Sequence, residues 1–119
     1  MYDNLYCKVF LDTNLSYENL FSIVWEYIGG NREALTYINT DWCEISIQKN
    51  KEYNVTQYLM NANDFIYWKY YLDIEPVKCE ENMYINKLSD LLKYLKGYCR
   101  GVIAACDFEE ELGIRLSDN

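Results

Sequence analysis

Residues Asp64 to Glu75 alternate between two faces over a long uninterrupted run. Ile66, Trp68, Tyr70, Leu72 and Ile74 share one parity; Phe65, Tyr67, Lys69, Tyr71 and Asp73 share the other. Successive side chains of a strand point to opposite faces, so this period predicts a long strand. Pro76, the only proline, has no N–H for a ladder and predicts its end. Both parities carry aromatic rings, so whichever face helices cover, the other still presents aromatic surface.

The other elements fit around this strand. Leu5, Cys7, Val9 and Leu11 alternate with Tyr6, Lys8, Phe10 and Asp12, which predicts a first strand with the former set inward. Ser16 is a natural N-cap, and Tyr17, Leu20, Phe21, Val24 and Ile28 form a helical stripe that Gly29-Gly30 ends. Leu35 to Gln48 reads as a second strand, with a bulge or bend where the phase shifts between Trp42 and Cys43. Lys49 to Asn54 is a polar turn, and Val55 to Met60 is either a hairpin extension or an irregular segment. Met83 to Tyr98 carries Leu88, Leu91, Leu92 and Leu95 at helical spacing, and Gly101 to Phe108 reads as a short buried strand. The order strand, helix, strand, strand, helix, strand predicts one α+β domain over 1–119. Its expected architecture is a ferredoxin-like split βαβ, with about four antiparallel strands and two helices on one face.

Charge narrows the function. The chain of 119 residues has 19 acids against 11 Lys and Arg, a net charge of −8. Nucleic-acid binding draws most of its affinity from cations on phosphates, so DNA, RNA and anionic membranes are disfavoured partners. A basic protein is the favoured one. Met1-Tyr2-Asp3-Asn4 lacks the basic start of a signal peptide, and no apolar run reaches membrane-spanning length. The five cysteines are odd in number and form no C-x-x-C pair, so reduced thiols and a cytoplasmic location are expected.

Catalytic chemistry is poorly supplied. There is no histidine, which removes Ser-His-Asp and Cys-His pairs and the usual general base. The five glycines make no phosphate-binding loop. Asp73 and Glu75 point the same way on a strand, and Asp107, Glu109, Glu110 and Glu111 form an acidic run. Carboxylates of this kind hold Mg²⁺ or Ca²⁺ when they converge, but the spacing matches no cation motif, and a solvated or partner-binding surface is the expectation. No enzyme activity, metal or cofactor is therefore expected.

The surplus is aromatic: 13 tyrosines and 3 tryptophans. Tyr and Trp bring large contact area with few rotatable bonds, which suits binding anchors. The same rings could instead be covered by residues 49–63 and the C-terminus, or form a homodimer interface. An aromatic sheet face also suits RNA recognition, which the charge and the missing R/K-G-F-G-F-like motif oppose.

Tyr67-Trp68-Lys69-Tyr70-Tyr71-Leu72-Asp73-Ile74-Glu75-Pro76 resembles the central segment of small bacterial immunity proteins, and so does the ending Gly101-Val102-Ile103-Ala104-Ala105-Cys106-Asp107-Phe108-Glu109-Glu110-Glu111-Leu112. Such proteins neutralise the toxic C-terminal domains of polymorphic and contact-dependent growth inhibition toxins. The resemblance implies a cytoplasmic protein that binds its cognate toxin, often a basic nuclease domain, stoichiometrically. The expected contacts are Glu44, Tyr67, Tyr71, Asp73, Glu75, Asp107, Glu109, Glu110 and Glu111. The carboxylates would pair with toxin Lys or Arg and the tyrosines would anchor. The competing expectation is a ferredoxin-like regulatory domain that binds a small molecule as a homodimer.

Overall fold

The computed structural model describes residues 2–112. It is an α+β fold built on a six-stranded, wholly antiparallel sheet of order β2-β3-β4-β5-β1-β6. The strands are β1 (Cys7–Asp12), β2 (Asn31–Ala34), β3 (Tyr37–Asn39), β4 (Cys43–Lys49), β5 (Tyr70–Pro76) and β6 (Gly101–Ala105). The helices are α1 (Tyr17–Ile28), α2 (Val55–Met60) and α3 (Glu81–Leu95), with 3-10 turns at Phe65–Tyr67 and Glu109–Leu112.

The expected inward set on β1 is correct. Cys7, Val9 and Leu11 are fully buried and join Ile45, Ile47, Leu72 and Ile74 in one apolar layer. Leu20, Phe21 and Val24 of α1 and Leu88, Leu91, Leu92 and Leu95 of α3 pack onto that layer. Each fully buried Leu or Ile contributes roughly 1.5–3 kcal/mol relative to exposure. Ser16 caps α1 as expected, its side chain accepting from the Asn19 N–H.

Six of the expected assignments are corrected. Residues 35–48 are not one bulged strand but the hairpin β3–β4. Thr40 closes the turn: its N–H donates to the Cys43 carbonyl, and its Oγ1 accepts from the N–H groups of Trp42 and Cys43. The edge strand β2, foreseen as nothing at all, continues the sheet beyond it with a register shift between Arg32 and Ala34. Val55 to Met60 is helical, because Asn54 caps Gln57 N–H. The long third strand begins only at Tyr70. Asp64 accepts from Ile66 N–H and starts a 3-10 turn, while the Asn50 side-chain amide donates to the carbonyls of Ile66 and Trp68. Trp68 therefore leaves the parity it was expected to share with Tyr70. Its ring lies where a Cβ on Gly101 would sit, and its Nε1–H donates to Ala62 O at 2.8 Å. The second long helix spans 81–95 instead of 83–98, and the last strand stops at Ala105 instead of Phe108.

Gly29 and Gly30 both have positive φ, 70° and 88°. A Cβ on Gly29 would meet nothing, whereas one on Gly30 would lie 2.6 Å from the Asn39 carbonyl oxygen. Gly29→Ala is expected to cost roughly 1–3 kcal/mol, because φ 70° with ψ −152° is backbone open to little but glycine. Gly30→Ala adds an overpacking cost of about 1–3 kcal/mol against backbone that cannot yield locally. Urea unfolding of the two variants checks this; equal losses would show that the helix end does not press on β3.

Candidate partner-binding face

The helices cover one side of the sheet, and the opposite parity forms the other side. Register fixes who stands beside whom. Tyr37, Ser46, Asp73, Lys8 and Ala105 run across β3, β4, β5, β1 and β6 in one row. Gln48, Tyr71, Phe10 and Ile103 make the next row towards α2, and Asn39, Glu44 and Glu75 make the row on the other side. Glu75 and Ala105 are exposed, and Glu44, Ser46, Gln48, Tyr71, Asp73 and Lys8 are half-buried.

Charge on this face is unbalanced, with Glu44, Asp73 and Glu75 against Lys8 alone. The Lys8 ammonium sits 4.2 Å from the Tyr71 ring centroid and 5.3 Å from that of Phe10, so its charge is directed onto aromatic faces. The Tyr6 hydroxyl donates to Asp73 Oδ1. Burial, and then the bond to Asp73, raise the Tyr6 phenol above its ordinary range. The Tyr37 phenol is pushed up to about 12, first by hydrogen bonding to the Glu44 carboxylate and then by burial. Both tyrosines thus present neutral phenols beside carboxylates at neutral pH.

One end of the face is closed by the chain itself. Phe65 stacks at a tilt on Phe10, with centroids 5.0 Å apart. Tyr58 of α2 donates to both carboxylate oxygens of Asp12, at 3.1 and 3.2 Å. Arg100 Nη2 reaches Asp12 Oδ1 at 3.2 Å and the Tyr58 hydroxyl oxygen at 2.8 Å. This cluster borders an open groove of about 1020 Å³, which Trp68, Lys96 and Gly101 also line. Among the described residues, every buried side-chain polar atom has a hydrogen-bond partner, and no group of three carboxylates or thiols is placed to hold a metal ion.

The expected contact residues fall into two groups. Glu44, Tyr71, Asp73 and Glu75 come together on the open face. Tyr67 ends the 3-10 turn at the closed end, half-buried and away from them. Asp107, Glu109, Glu110 and Glu111 follow β6, and Asp107 and Glu109 line a hollow of about 490 Å³ with Phe65 and Ile103. Sequence reasoning did not find Tyr37 and Ser46 on the face, since the hairpin that brings them there was read as one strand. Arg100, Tyr58 and Asp12 carry no local signal at all, being 42 to 88 residues apart.

One step beyond the Lys8–Ala105 pair, Cys7 and Cys106 face each other between β1 and the end of β6. Cys7 is fully buried, and Cys106 is partly open to solvent. The neighbouring Cys7 thiol and then the Phe108 N–H hold the Cys106 thiol below its ordinary range. Burial instead raises Cys79 and lifts Cys99 to about 11. The thiolate is the nucleophile, so limiting iodoacetamide at mildly alkaline pH should label Cys106 first. Equal labelling of Cys79, Cys99 and Cys106 by peptide mass spectrometry would contradict this geometry.

No helix among the described residues is long and apolar enough to cross a membrane. No protein-family model, curated protein or solved structure matches this chain.

Proposed function

We propose that the chain is an immunity protein, which neutralises a bacterial toxin domain in the cytoplasm by stoichiometric binding and has no catalytic activity of its own. The observation that carries this reading is the uncovered sheet face, where Glu44, Asp73 and Glu75 lie among Tyr6, Tyr37 and Tyr71. Carboxylates steer a basic partner and set its orientation, while rigid aromatic side chains slow its release. A basic nuclease domain is the partner this chemistry suits, because its cationic surface is built for phosphate. The strand order β4-β5-β1-β6, with α1 following β1 and α3 following β5, supports reading the core as a ferredoxin-like split βαβ with β2–β3 as an added hairpin.

The test is capture on the immobilised chain from a bacterial lysate, with salt elution. The reading requires a basic protein that elutes with salt and is not captured when Glu44, Asp73 and Glu75 are replaced by Lys. It also requires that protein to arrest growth when expressed alone and to be silenced by co-expression of this chain. A captured protein that is harmless alone would sink the reading.

The groove beside Asp12, Arg100 and Trp68 favours a second reading, a regulatory domain that binds a small molecule and acts as a homodimer. Thermal-shift measurement against a metabolite panel separates the two. Stabilisation that Arg100→Ala abolishes would favour the groove.

A further inference from the structure

The two edges of the sheet are built differently. β2 is four residues long and wholly exposed, carries Arg32 and Glu33, and is out of register with its neighbour after Arg32. Arg32 also folds back onto the carbonyls of Ala34 and Leu35. Short length, charge and irregularity are the usual protections of an edge. β6 has none of them. Gly101-Val102-Ile103-Ala104-Ala105 contains no charge and no proline, and it keeps a regular register with β1 over its whole length. Among the described residues β6 pairs with β1 alone, so its outer row of backbone groups has no strand beside it. Two hollows adjoin it: the larger groove reaches Gly101 to Ile103 and the smaller one Ile103 to Asp107, while Val102, Ile103 and Ala104 keep only 5%, 8% and 5% of their surface exposed.

Charge around this edge is polar along the strand. Lys96 stands at its start beside Arg100, which is paired with Asp12, and Asp107 and Glu109 stand at its end. A second copy laid antiparallel would place each cationic end against the other's acidic end, twice over. A parallel arrangement would oppose like charges. Met60, 71% exposed, lines the same groove and would be covered by the second copy.

We propose that the free edge of β6 is a self-association surface, at which two copies pair antiparallel about a two-fold axis and continue the sheet. A two-fold contact is self-complementary, so one strand with opposite charges at its two ends suffices to build it. The inference concerns the edge and not the open face, and it holds whether or not a toxin is the partner.

Sedimentation equilibrium of the full chain, from low to high micromolar concentration, measures it. A monomer–dimer equilibrium is expected, weakened at least about tenfold by Lys96→Glu and likewise by Asp107→Lys with Glu109→Lys, as for like charges set against each other. Mixing the two variants should restore association, because each then meets its complement. Hydrogen exchange supplies the second measurement: the amides of 102–105 should gain protection as concentration rises. A chain that stays monomeric at the highest concentration overturns the proposal. So does a dimer indifferent to both charge changes, or edge protection that is independent of concentration and disappears when residues 113–119 are removed.

Discussion

Stability should fall steeply above about pH 9, by on the order of 4 kcal/mol at pH 11. No histidine, the side chain that ordinarily titrates between about pH 6 and 8, adds a step below that. The fall comes from thiols and phenols kept neutral in the core. Cys43 is fully buried, and burial pushes its thiol up to about 12, against an ordinary value near 9. Tyr84 is also fully buried, and burial raises its phenol well above the ordinary 10. A group whose pKa is raised on folding favours the folded chain fully below its unfolded value. That contribution is lost as pH rises through the unfolded value towards the folded one, at about 1.4 kcal/mol per pH unit for each group. At pH 11 the unfolded chain has released both protons and the folded chain still holds them. Urea-unfolding midpoints at about pH 7, 9, 10 and 11 measure the loss, and Cys43→Ala should flatten the curve by about one group's share. Equal midpoints at pH 7 and 11 would mean that neither group is shielded from water. The Tyr84 hydroxyl also donates to Leu5 O at 2.8 Å, so Tyr84→Phe should cost about 1–3 kcal/mol even at neutral pH.

Replacing Glu44, Asp73 and Glu75 together by lysine should slow association with a basic partner domain at least about tenfold at low salt. With Lys8 beside them, the local balance moves from three carboxylates against one ammonium to four ammonium groups. Raising the salt should narrow the difference, because exposed charges are screened beyond about 8–10 Å. Tyr71→Ala should act on the other rate, speeding dissociation by about 30-fold if the ring is an anchor worth 2 kcal/mol. The same lysine exchange at Glu109, Glu110 and Glu111 probes the second acidic group, at the end of β6. Stopped-flow kinetics with the captured partner separate the two clusters. Association that ignores the first exchange and responds to the second would move the contact from the sheet face to the strand edge. Circular dichroism must stay unchanged, which separates a lost contact from a fold disturbed through the Tyr6–Asp73 and Tyr37–Glu44 bonds.

The elements legible in the sequence are those whose signal is local. β1 shows its period within six residues, α1 shows both its cap and its glycine stop, and α3 shows a full leucine stripe. The hairpin β2–β3 was hidden because strands of four and three residues are too short to display a period. Its neighbouring turn is closed by a threonine hydroxyl and not by the glycine or Asn-Gly that would have marked it. Residues 64–69 deceived for the opposite reason. Their alternation is real, but Asn50 and Asp64 offer the backbone a competing set of bonds, and those prevail. The parity of Tyr71, Asp73 and Glu75 could be read directly. That Ser46 and Lys8 flank Asp73 could not, because register between distant strands has no local signature.

The sheet joins segments far apart in the chain. β1 lies between β5 and β6, and Lys8 pairs with Ala105 across nearly the whole sequence. During synthesis, β1 therefore waits with an open flank until β6 has left the ribosome. The fold cannot be completed piecemeal from the N-terminus, and its rate should be that of a chain dominated by distant contacts. A product cut short before residue 101 would leave one flank of β1 unpaired, which makes it a species for proteolysis and not a smaller working domain.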